Sequence, residues 1–271
     1  MIPTVALNDG NRIPAVGLGT YDLGAPAVLS ALDAGYRLLD TALKYGNEAE
    51  VGAAVRRSGL DRGEVQVTTK LPGRYHGFAA TLEGFEVSLA NLGLDYVDLY
   101  LIHWPLPRLG AYVDSWRALI KLREQGRVRS IGVSNFTAAH LARLADETGV
   151  VPAVNQIELH PFFPQAQQRA ADSARGIVTQ SWSPLAAGRD LAGHPVIAAV
   201  ARAHGVTPAQ VALRWNVQLG AVPIPRSGDP ARQRQNLEIF DFTLSGDQMR
   251  QLSGLGAGRL WGADPDVYES F

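Results

Sequence analysis

Val97-Asp-Leu-Tyr-Leu-Ile-His103 is an apolar run that ends in an imidazole, and two earlier runs also end on a functional side chain. Tyr36-Arg-Leu-Leu-Asp40 ends in a carboxylate, and Val65-Gln-Val-Thr-Thr-Lys70 ends in an ammonium group. Each run has the length and apolar content of a buried parallel strand. Neighbouring parallel strands share one rim, and catalytic groups of parallel barrels lie on the C-terminal rim. The three polar side chains are therefore predicted to form one site.

The number of strands follows from the glycines that punctuate the chain. Glycine ends helices because it adopts the left-handed conformation without a Cβ penalty. Such glycines close helix-like segments ahead of short apolar runs at Gly35, Gly59, Gly93, Gly126, Gly149, Gly176 and Gly220. With the opening run, strand candidates begin near Ala15, Tyr36, Val65, Val97, Val128, Val154, Ile177 and Ala221. Eight βα units in 271 residues predict an α/β fold, a (β/α)8 TIM barrel that forms a single domain over residues 1–271.

Two shorter features refine this fold. Thr4-Val-Ala-Leu and Arg12-Ile-Pro flank a turn-type tetrapeptide, which predicts an N-terminal β-hairpin near residues 4–13 that closes the bottom of the barrel. Thr207-Pro208 predicts a capped helix start after another helix at about 196–204. A doubly wound dinucleotide fold is disfavoured, because Gly17-Leu-Gly19 and Gly254-Leu-Gly-Ala-Gly258 lack the G-x-G-x-x-G spacing.

Composition limits the function. The formal net charge is −1, and no basic run is long enough to follow a phosphate backbone, so we expect no nucleic-acid partner. With 0 cysteines, the chain has no disulfide, thiolate metal site or cysteine nucleophile. No signal peptide or membrane-spanning run is recognisable. We expect a cytoplasmic monomer that acts on a small molecule.

The chemistry centres on Tyr45, in the loop after the second strand candidate. A buried tyrosine holds its proton tightly, but a nearby ammonium lowers its pKa, and Lys70 can supply that ammonium. Asp40 would keep Lys70 charged, while His103 can hydrogen-bond a substrate oxygen. This set predicts an oxyanion site with a proton donor, which suits a carbonyl that receives hydride.

Simpler interpretations exist for each feature taken alone. Asp40 and Lys70 could form a structural ion pair, His103 could be a core histidine, and the arginines near Arg226 could lie on a solvated surface. Gly132-Val-Ser-Asn-Phe lacks the last glycine of a hydrolase nucleophile elbow. A metal-dependent barrel hydrolase and a non-catalytic NADP-binding sensor protein stay open as alternatives. The histidines show no metal-ligand spacing, so no metal site is predicted.

Several strings together match one family pattern. They are Gly17-Leu-Gly-Thr-Tyr, Asp40-Thr-Ala-x-x-Tyr45-x-Asn-Glu, Thr69-Lys70-Leu, Asp98-Leu-Tyr-Leu-Ile-His103-Trp-Pro, Gly132-Val-Ser-Asn-Phe, Asn155-Gln-Ile-Glu, Trp182-Ser-Pro-Leu and Ile224-Pro-Arg-Ser, with Arg232 and Asn236 following. Over nearly its whole length the chain resembles the aldo-keto reductases, and most of all the bacterial branch that reduces sugar-derived ketones and aldehydes. The resemblance implies NADPH-dependent carbonyl reduction, with Asp40, Tyr45, Lys70 and His103 as the catalytic tetrad and Tyr45 as general acid.

The same resemblance implies binding residues. The positions implied for NADPH are Gly19, Thr20, Ser134, Asn135, Gln156, Trp182, Ser183, Leu185, Ala187, Gly188, Arg226, Ser227, Arg232, Gln235 and Asn236. Those implied for the substrate are Tyr21, Tyr45, His103, Trp104 and Trp261. Two positions depart from the commonest pattern, since Trp182 stands where tyrosine is usual and Arg226 where lysine is usual. The short tail from Arg259 onward carries Trp261, Tyr268 and Phe271, and we expect it to act as a substrate loop over the rim.

Overall fold

The computed structural model describes residues 2–188 and 191–270, so Phe271 of the predicted tail lies outside the described residues. Eight parallel strands follow one another around a barrel. They are β3 (Leu18–Gly19), β4 (Leu38–Asp40), β5 (Gln66–Leu71), β6 (Val97–Ile102), β7 (Val128–Ser134), β8 (Val154–Glu158), β9 (Val178–Trp182) and β10 (Val222–Pro223). The first and last strands are joined by backbone hydrogen bonds from Gly17 N to Pro223 O and from Gly19 N to Pro225 O, both 3.0 Å long. The predicted (β/α)8 barrel is thereby confirmed.

Helices surround this sheet. They are α1 (Ala25–Ala34), α2 (Glu48–Arg57), α3 (Phe78–Leu92), α4 (Tyr112–Glu124), α5 (Ala138–Thr148), α6 (Ala166–Ser173), α7 (Pro195–His204), α8 (Pro208–Gln218), α9 (Pro230–Leu237) and α10 (Gly246–Ser253). Helix α8 begins as predicted, because the Thr207 side chain accepts a hydrogen bond from Gln210 N. No single helix among the described residues is long and apolar enough to cross a membrane; α7 and α8 meet that criterion only as a pair bent by 89°.

The punctuating glycines explain why the helices stop where they do. All seven of them have positive φ angles, from 60° at Gly93 to 112° at Gly35. This region of backbone space is costly for residues with a Cβ. Each glycine therefore reverses the chain toward the next strand, and the strand starts predicted from these glycines lie within a few residues of the observed ones.

The predicted N-terminal hairpin is present and covers one end of the barrel. Strands β1 (Thr4–Ala6) and β2 (Arg12–Pro14) pair antiparallel. Leu7 and Ile13 of this hairpin are buried in one cluster with inward-facing residues of the barrel strands. The hairpin thus seals the N-terminal opening and leaves the C-terminal rim for the site.

The barrel interior has an apolar lower layer and a polar upper layer. Leu99, Leu101 and Val154 belong to the apolar cluster above the hairpin. Nearer the C-terminal rim, Lys70 and Gln156 are buried instead. Buried polar groups are unfavourable unless they are hydrogen-bonded, so the side chains of this upper layer must pair with one another or with a ligand.

Candidate active site

The four predicted catalytic side chains meet at the C-terminal end of the barrel. Asp40 ends β4, Lys70 lies in β5, and His103 directly follows β6. Tyr45 closes a short 3₁₀ turn after β4. Lys70 Nζ lies 2.5 Å from Asp40 Oδ2 and 3.5 Å from the Tyr45 hydroxyl. The Tyr45 and His103 ring centroids are 5.8 Å apart. The fold thus brings together residues that are as far as 63 positions apart in the sequence, Asp40 and His103.

Lys70 is the buried cation of this group. Its residue is 1% exposed, and Nζ also donates to the backbone oxygen of Thr41 at 3.0 Å. Burial lowers the pKa of Lys70, but the Asp40 carboxylate and the Tyr45 hydroxyl raise it by more, so the net pKa lies above the ordinary value. Lys70 is therefore charged at neutral pH, as the sequence predicted.

Burial is the largest influence on the pKa of Tyr45. Burial raises the pKa of Tyr45, and this effect outweighs the Lys70 ammonium, which lowers it. Asp40 adds a further rise in the Tyr45 pKa. Tyr45 therefore keeps its proton more firmly than an ordinary tyrosine. The sequence predicted both influences, the burial that holds the proton and the Lys70 ammonium that lowers the pKa, and burial is the larger of the two.

His103 is a neutral imidazole in this setting. Burial lowers its pKa well below the ordinary value, and the Lys70 and Lys44 ammonium groups lower it further. Nδ1 of His103 is buried with no hydrogen-bond partner among the described residues. A neutral ring can donate one hydrogen bond and accept another, which suits contact with a carbonyl oxygen that becomes a hydroxyl.

The residues implied for the nicotinamide lie on β7, β8 and β9 or directly after β7, beside the tetrad. Ser134 Oγ donates to Gln156 O at 2.8 Å, and Asn135 Nδ2 donates to His103 O at 3.0 Å. The Trp182 indole N–H donates to Asn135 Oδ1 at 2.8 Å, which fixes the plane of the half-buried indole ring. Asn135 has φ 64°, a left-handed conformation that asparagine tolerates better than most residues. These groups form one hydrogen-bonded rim next to His103.

Gln156 has a second connection inside the barrel. Its Nε2 donates to Asp40 Oδ1 at 2.7 Å and to Gln180 Oε1 at 3.0 Å. The Asp40 carboxylate therefore receives Lys70 on one oxygen and Gln156 on the other. Sequence reasoning missed Gln180, although it precedes Trp182 by two positions on β9, and the two-residue period of a strand places both on the same face.

The loop after β9 contains the residues implied for the pyrophosphate. Leu185 is half-buried and Ala187 is exposed, while Gly188 ends a short 3₁₀ segment. Ser183, Ala186 and Ala187 have φ angles of 49°, 50° and 51°. Three non-glycine residues in the left-handed region store backbone strain, a property concentrated at ligand clamps and switch regions.

The residues implied for the adenosine phosphate surround the start of α9. Arg226 and Arg232 are exposed, and Arg226 Nη1 lies 3.2 Å from Tyr21 O and 3.5 Å from Asp22 Oδ2. The Asp229 carboxylate caps α9 by accepting the backbone N–H groups of Ala231 and Arg232. Both guanidinium groups are exposed at this end of the barrel, and that of Arg226 lies beside a carboxylate.

Other residues implied for this end of the cofactor adjoin the arginines. Ser227 and Gln235 are half-buried. Asn236 is 3% exposed and lies near the Tyr36 hydroxyl, which donates to Gln233 O at 3.3 Å. Gly19 and Thr20 connect this region with the tetrad, because the Thr20 hydroxyl donates to Asp40 O at 3.0 Å. A Cβ on Gly19 would lie 3.2 Å from Ile224 O, so this position requires a small residue.

The C-terminal tail contacts the loops that follow several barrel strands. Leu260 N donates to Glu158 Oε1 at 2.7 Å, and the Tyr268 ring packs against Trp104 with centroids 4.4 Å apart. Ser270 Oγ accepts from Lys44 Nζ at 2.7 Å, next to the turn that holds Tyr45. The tail thus runs across the rim from β8 back to the loop after β4.

The predicted substrate wall is only partly assembled. Trp104 is buried under Tyr268, a contact that sequence reasoning did not specify. Tyr21 is exposed but stacks edge-on against Tyr45 with centroids 5.1 Å apart. Trp261 is 55% exposed. Within residues 2–188 and 191–270, no group of three His, Asp or Glu side chains is arranged to hold a metal ion.

Comparison with known proteins gives one consistent result. The sequence profile of the Aldo/keto reductase family matches residues 16–257. The 2,5-diketo-D-gluconic acid reductase B of Corynebacterium sp. (strain SHS752001) is 55% identical over 272 residues, which cover 99% of this chain and 98% of that protein. A crystal structure of an aldo/keto reductase from Brucella melitensis superposes with a TM-score of 0.91 at 48% identity and covers 94% of this chain and 100% of that chain. A mutant of Gox0644 crystallised in complex with NADPH superposes with a TM-score of 0.94 at 42% identity and covers 99% of both chains.

Proposed function

Because the chain belongs to the aldo/keto reductase family, we propose that it reduces aldehydes and ketones to alcohols with NADPH and that Tyr45 donates the proton. The observation that carries the proposal is the buried Lys70 ammonium, held between the Asp40 carboxylate and the Tyr45 hydroxyl at the open end of the barrel. NADPH, when bound, supplies a hydride to the carbonyl carbon. The remaining chemistry consists of binding the carbonyl oxygen and giving it a proton.

The tetrad residues divide this work. Tyr45 and His103 would hydrogen-bond the carbonyl oxygen, and Tyr45 would transfer its hydroxyl proton to that oxygen as negative charge develops there. The raised pKa of Tyr45 keeps it protonated before the reaction. Lys70 would then stabilise the phenolate that remains, and Asp40 keeps Lys70 charged and in place. A tyrosine with no adjacent ammonium would be a much weaker acid in this buried position.

The described residues fit the proposed cofactor. Trp182 offers a ring face whose plane is fixed by Asn135, and aromatic faces of this kind stack on other rings. Ser134, Asn135 and Gln156 would hydrogen-bond the nicotinamide amide. The loop from Ser183 to Gly188 would cover the pyrophosphate.

The arginines after the last strand favour NADPH over NADH as the cofactor. Arg226 and Arg232 present two exposed guanidinium groups after the last strand, where barrels often bind phosphate. Guanidinium binds phosphate through two parallel hydrogen bonds, so the adenosine 2′-phosphate is its natural partner here. Ser227 and Gln235 border the same surface, and we propose that Asn236 contacts the adenine.

For the substrate, we propose small carbonyl compounds of the sugar-ketone type, with aldehydes as further candidates. The support is the 55% identity to a protein named 2,5-diketo-D-gluconic acid reductase B. Tyr21, Trp104 and Trp261 would form the wall around the substituents of the carbonyl, with the tail placed over them. A panel of keto-sugars, α-diketones and aldehydes, assayed by NADPH oxidation, ranks these classes.

The decisive experiment replaces Tyr45 by phenylalanine. Tyr45→Phe removes the proton donor but keeps the ring, so we expect turnover to fall about 10²-fold or more while NADPH affinity stays nearly unchanged. NADPH affinity can be followed by quenching of the intrinsic tryptophan fluorescence, to which Trp182 contributes. Wild-type rates in this variant would refute the mechanism. A wild-type protein that binds NADPH but oxidises none with any carbonyl would instead support the sensor alternative.

We also propose that the protein is a cytoplasmic monomer. Light scattering coupled to size-exclusion chromatography tests the monomer, for which the expected mass is the chain mass of 29.1 kDa. Fractionation of cells that express the protein tests the location.

A further inference from the structure

A chain of polar side chains crosses the upper layer of the barrel and ends at the tetrad. Gln180 Oε1 accepts from Gln156 Nε2 at 3.0 Å, and the same nitrogen donates to Asp40 Oδ1 at 2.7 Å. Asp40 in turn binds Lys70. Because β4 and β8 lie on opposite sides of the barrel, this chain spans the barrel interior.

Strand geometry explains why Gln180, and not the adjacent Ser181, belongs to this polar chain. Successive residues of a strand face opposite sides of the sheet. Gln180 faces the interior and Gln156, whereas Ser181 faces outward and donates to Asn216 Oδ1 of α8 at 2.6 Å. Both residues are 0% exposed, so they differ in direction and not in burial.

The hydrogen-bond inventory of Gln156 makes Gln180 important. An amide nitrogen has two hydrogens, and Gln156 uses them on Asp40 and Gln180. Both contacts require the nitrogen of the Gln156 amide to point toward Asp40 and Gln180, with Oε1 on the other side. The acceptor on Gln180 therefore favours one orientation of the Gln156 amide. Without the acceptor on Gln180, one N–H would be buried without a partner, and the amide could rotate away from Asp40.

Gln180 itself carries an unused donor. Among the described residues its Nε2 is buried and has no hydrogen-bond partner. An unpaired buried donor is unfavourable for folding, and a methionine of similar length would fill the space without it. Packing alone therefore does not account for glutamine here, whereas its carbonyl oxygen does, because that oxygen holds Gln156.

We propose that Gln180 is a positioning residue for the reduction: it fixes the orientation of Gln156, which keeps a hydrogen bond on Asp40 and so sets the charge balance around Lys70 and Tyr45. This inference rests on the proposed carbonyl reductase function. Gln180 touches neither substrate nor cofactor in this scheme, and it acts through Gln156. Without the hydrogen bond from Gln156, the negative charge on Asp40 is less well stabilised and acts more strongly on its neighbours. That charge raises the Tyr45 pKa.

The test compares Gln180→Met with Ser181→Ala in the intact protein. Gln180→Met keeps the length of the side chain and removes the acceptor; Ser181→Ala removes a buried hydrogen bond from the outward side of the same strand. We expect Gln180→Met to lower kcat about tenfold and to move the alkaline limb of its pH profile upward by about half a pH unit. We expect Ser181→Ala to lower the melting temperature and leave the pH profile unchanged.

A second variant keeps the test decisive if the methionine variant does not fold. Gln180→Leu also removes the acceptor for Gln156 and adds no charge, so the alkaline limb should move upward in this variant as well. An unchanged pH profile in the soluble Gln180 variants, or the same displacement in Ser181→Ala, would overturn the inference. Failure of the proposed function looks different, because the wild-type protein would then show no carbonyl reduction at all.

Discussion

Asp172 offers a stability prediction whose size follows from its surroundings. This α6 residue is 0% exposed, and its carboxylate accepts hydrogen bonds from Asn155 Nδ2, Gln168 Nε2 and Thr179 Oγ1 at 3.1, 2.8 and 2.9 Å. Burial raises the pKa of Asp172 from 3.8 to about 6, and these three hydrogen bonds do not reverse the rise. The folded protein therefore binds this proton more tightly than the unfolded chain does.

The sign of the pH dependence follows from linkage. Between pH 3.8 and about 6, the folded state holds more protons than the unfolded state, so the free energy of unfolding falls as pH rises through this window. The total loss is about 3 kcal/mol, because each pH unit of displacement corresponds to about 1.4 kcal/mol. About half of it is lost between pH 5 and 7.5, since the unfolded carboxyl is already mostly ionised at pH 5.

The variant Asp172→Asn isolates this effect. Asparagine cannot ionise, yet its oxygen can accept from Asn155 and Gln168 and its nitrogen can donate to Thr179. We expect the stability of Asp172→Asn relative to wild type to rise by about 1.5 kcal/mol from pH 5 to pH 7.5, measured by urea unfolding at 25 °C. Asp33→Asn, at an exposed position of α1, is the matched control and should show no such rise. If the pH dependence of Asp172→Asn runs parallel to that of wild type, the buried-carboxylate argument is wrong.

Three further predictions concern the site. Lys70→Met should lower kcat about 10²-fold and raise the Tyr45 pKa further, because the ammonium that partly offsets the burial of Tyr45 is lost. An unchanged rate and pH profile would contradict the coupling. Arg232→Ala should weaken NADPH binding about tenfold or more with little effect on NADH, since a charge-assisted contact to the 2′-phosphate contributes about 1.5 kcal/mol or more. Both affinities can be measured by fluorescence titration, and equal losses for the two cofactors would refute this assignment. Deletion of residues 262–271 removes the Tyr268 contact with Trp104, so relative kcat/KM values among carbonyl substrates should change while NADPH affinity stays within a small factor. A uniform loss of kcat/KM for all substrates would mean that the tail only stabilises the barrel.

The sequence by itself determined the barrel and the rim on which the candidate site lies. Strand runs such as the one that ends at His103 are set by local apolar content, and helix ends such as Gly35 are set by a left-handed backbone that glycine adopts most readily. Both signals act over a few residues, so they are readable without the fold. The tetrad was equally accessible, because each member lies at or just after a strand end, or in the turn that follows it.

Only the tertiary structure decided the electrostatic balance and the contacts across the barrel. The net rise in the Tyr45 pKa depends on how deeply the ring is buried, and burial is a sum over residues from several strands. The hydrogen bond from Gln156 to Asp40 joins residues 116 positions apart, and the contact between Trp104 and Tyr268 joins the loop after β6 to the tail. Side-chain hydrogen bonds and ring packing act over a few ångströms in space, so they become defined only when barrel closure brings distant parts of the chain together.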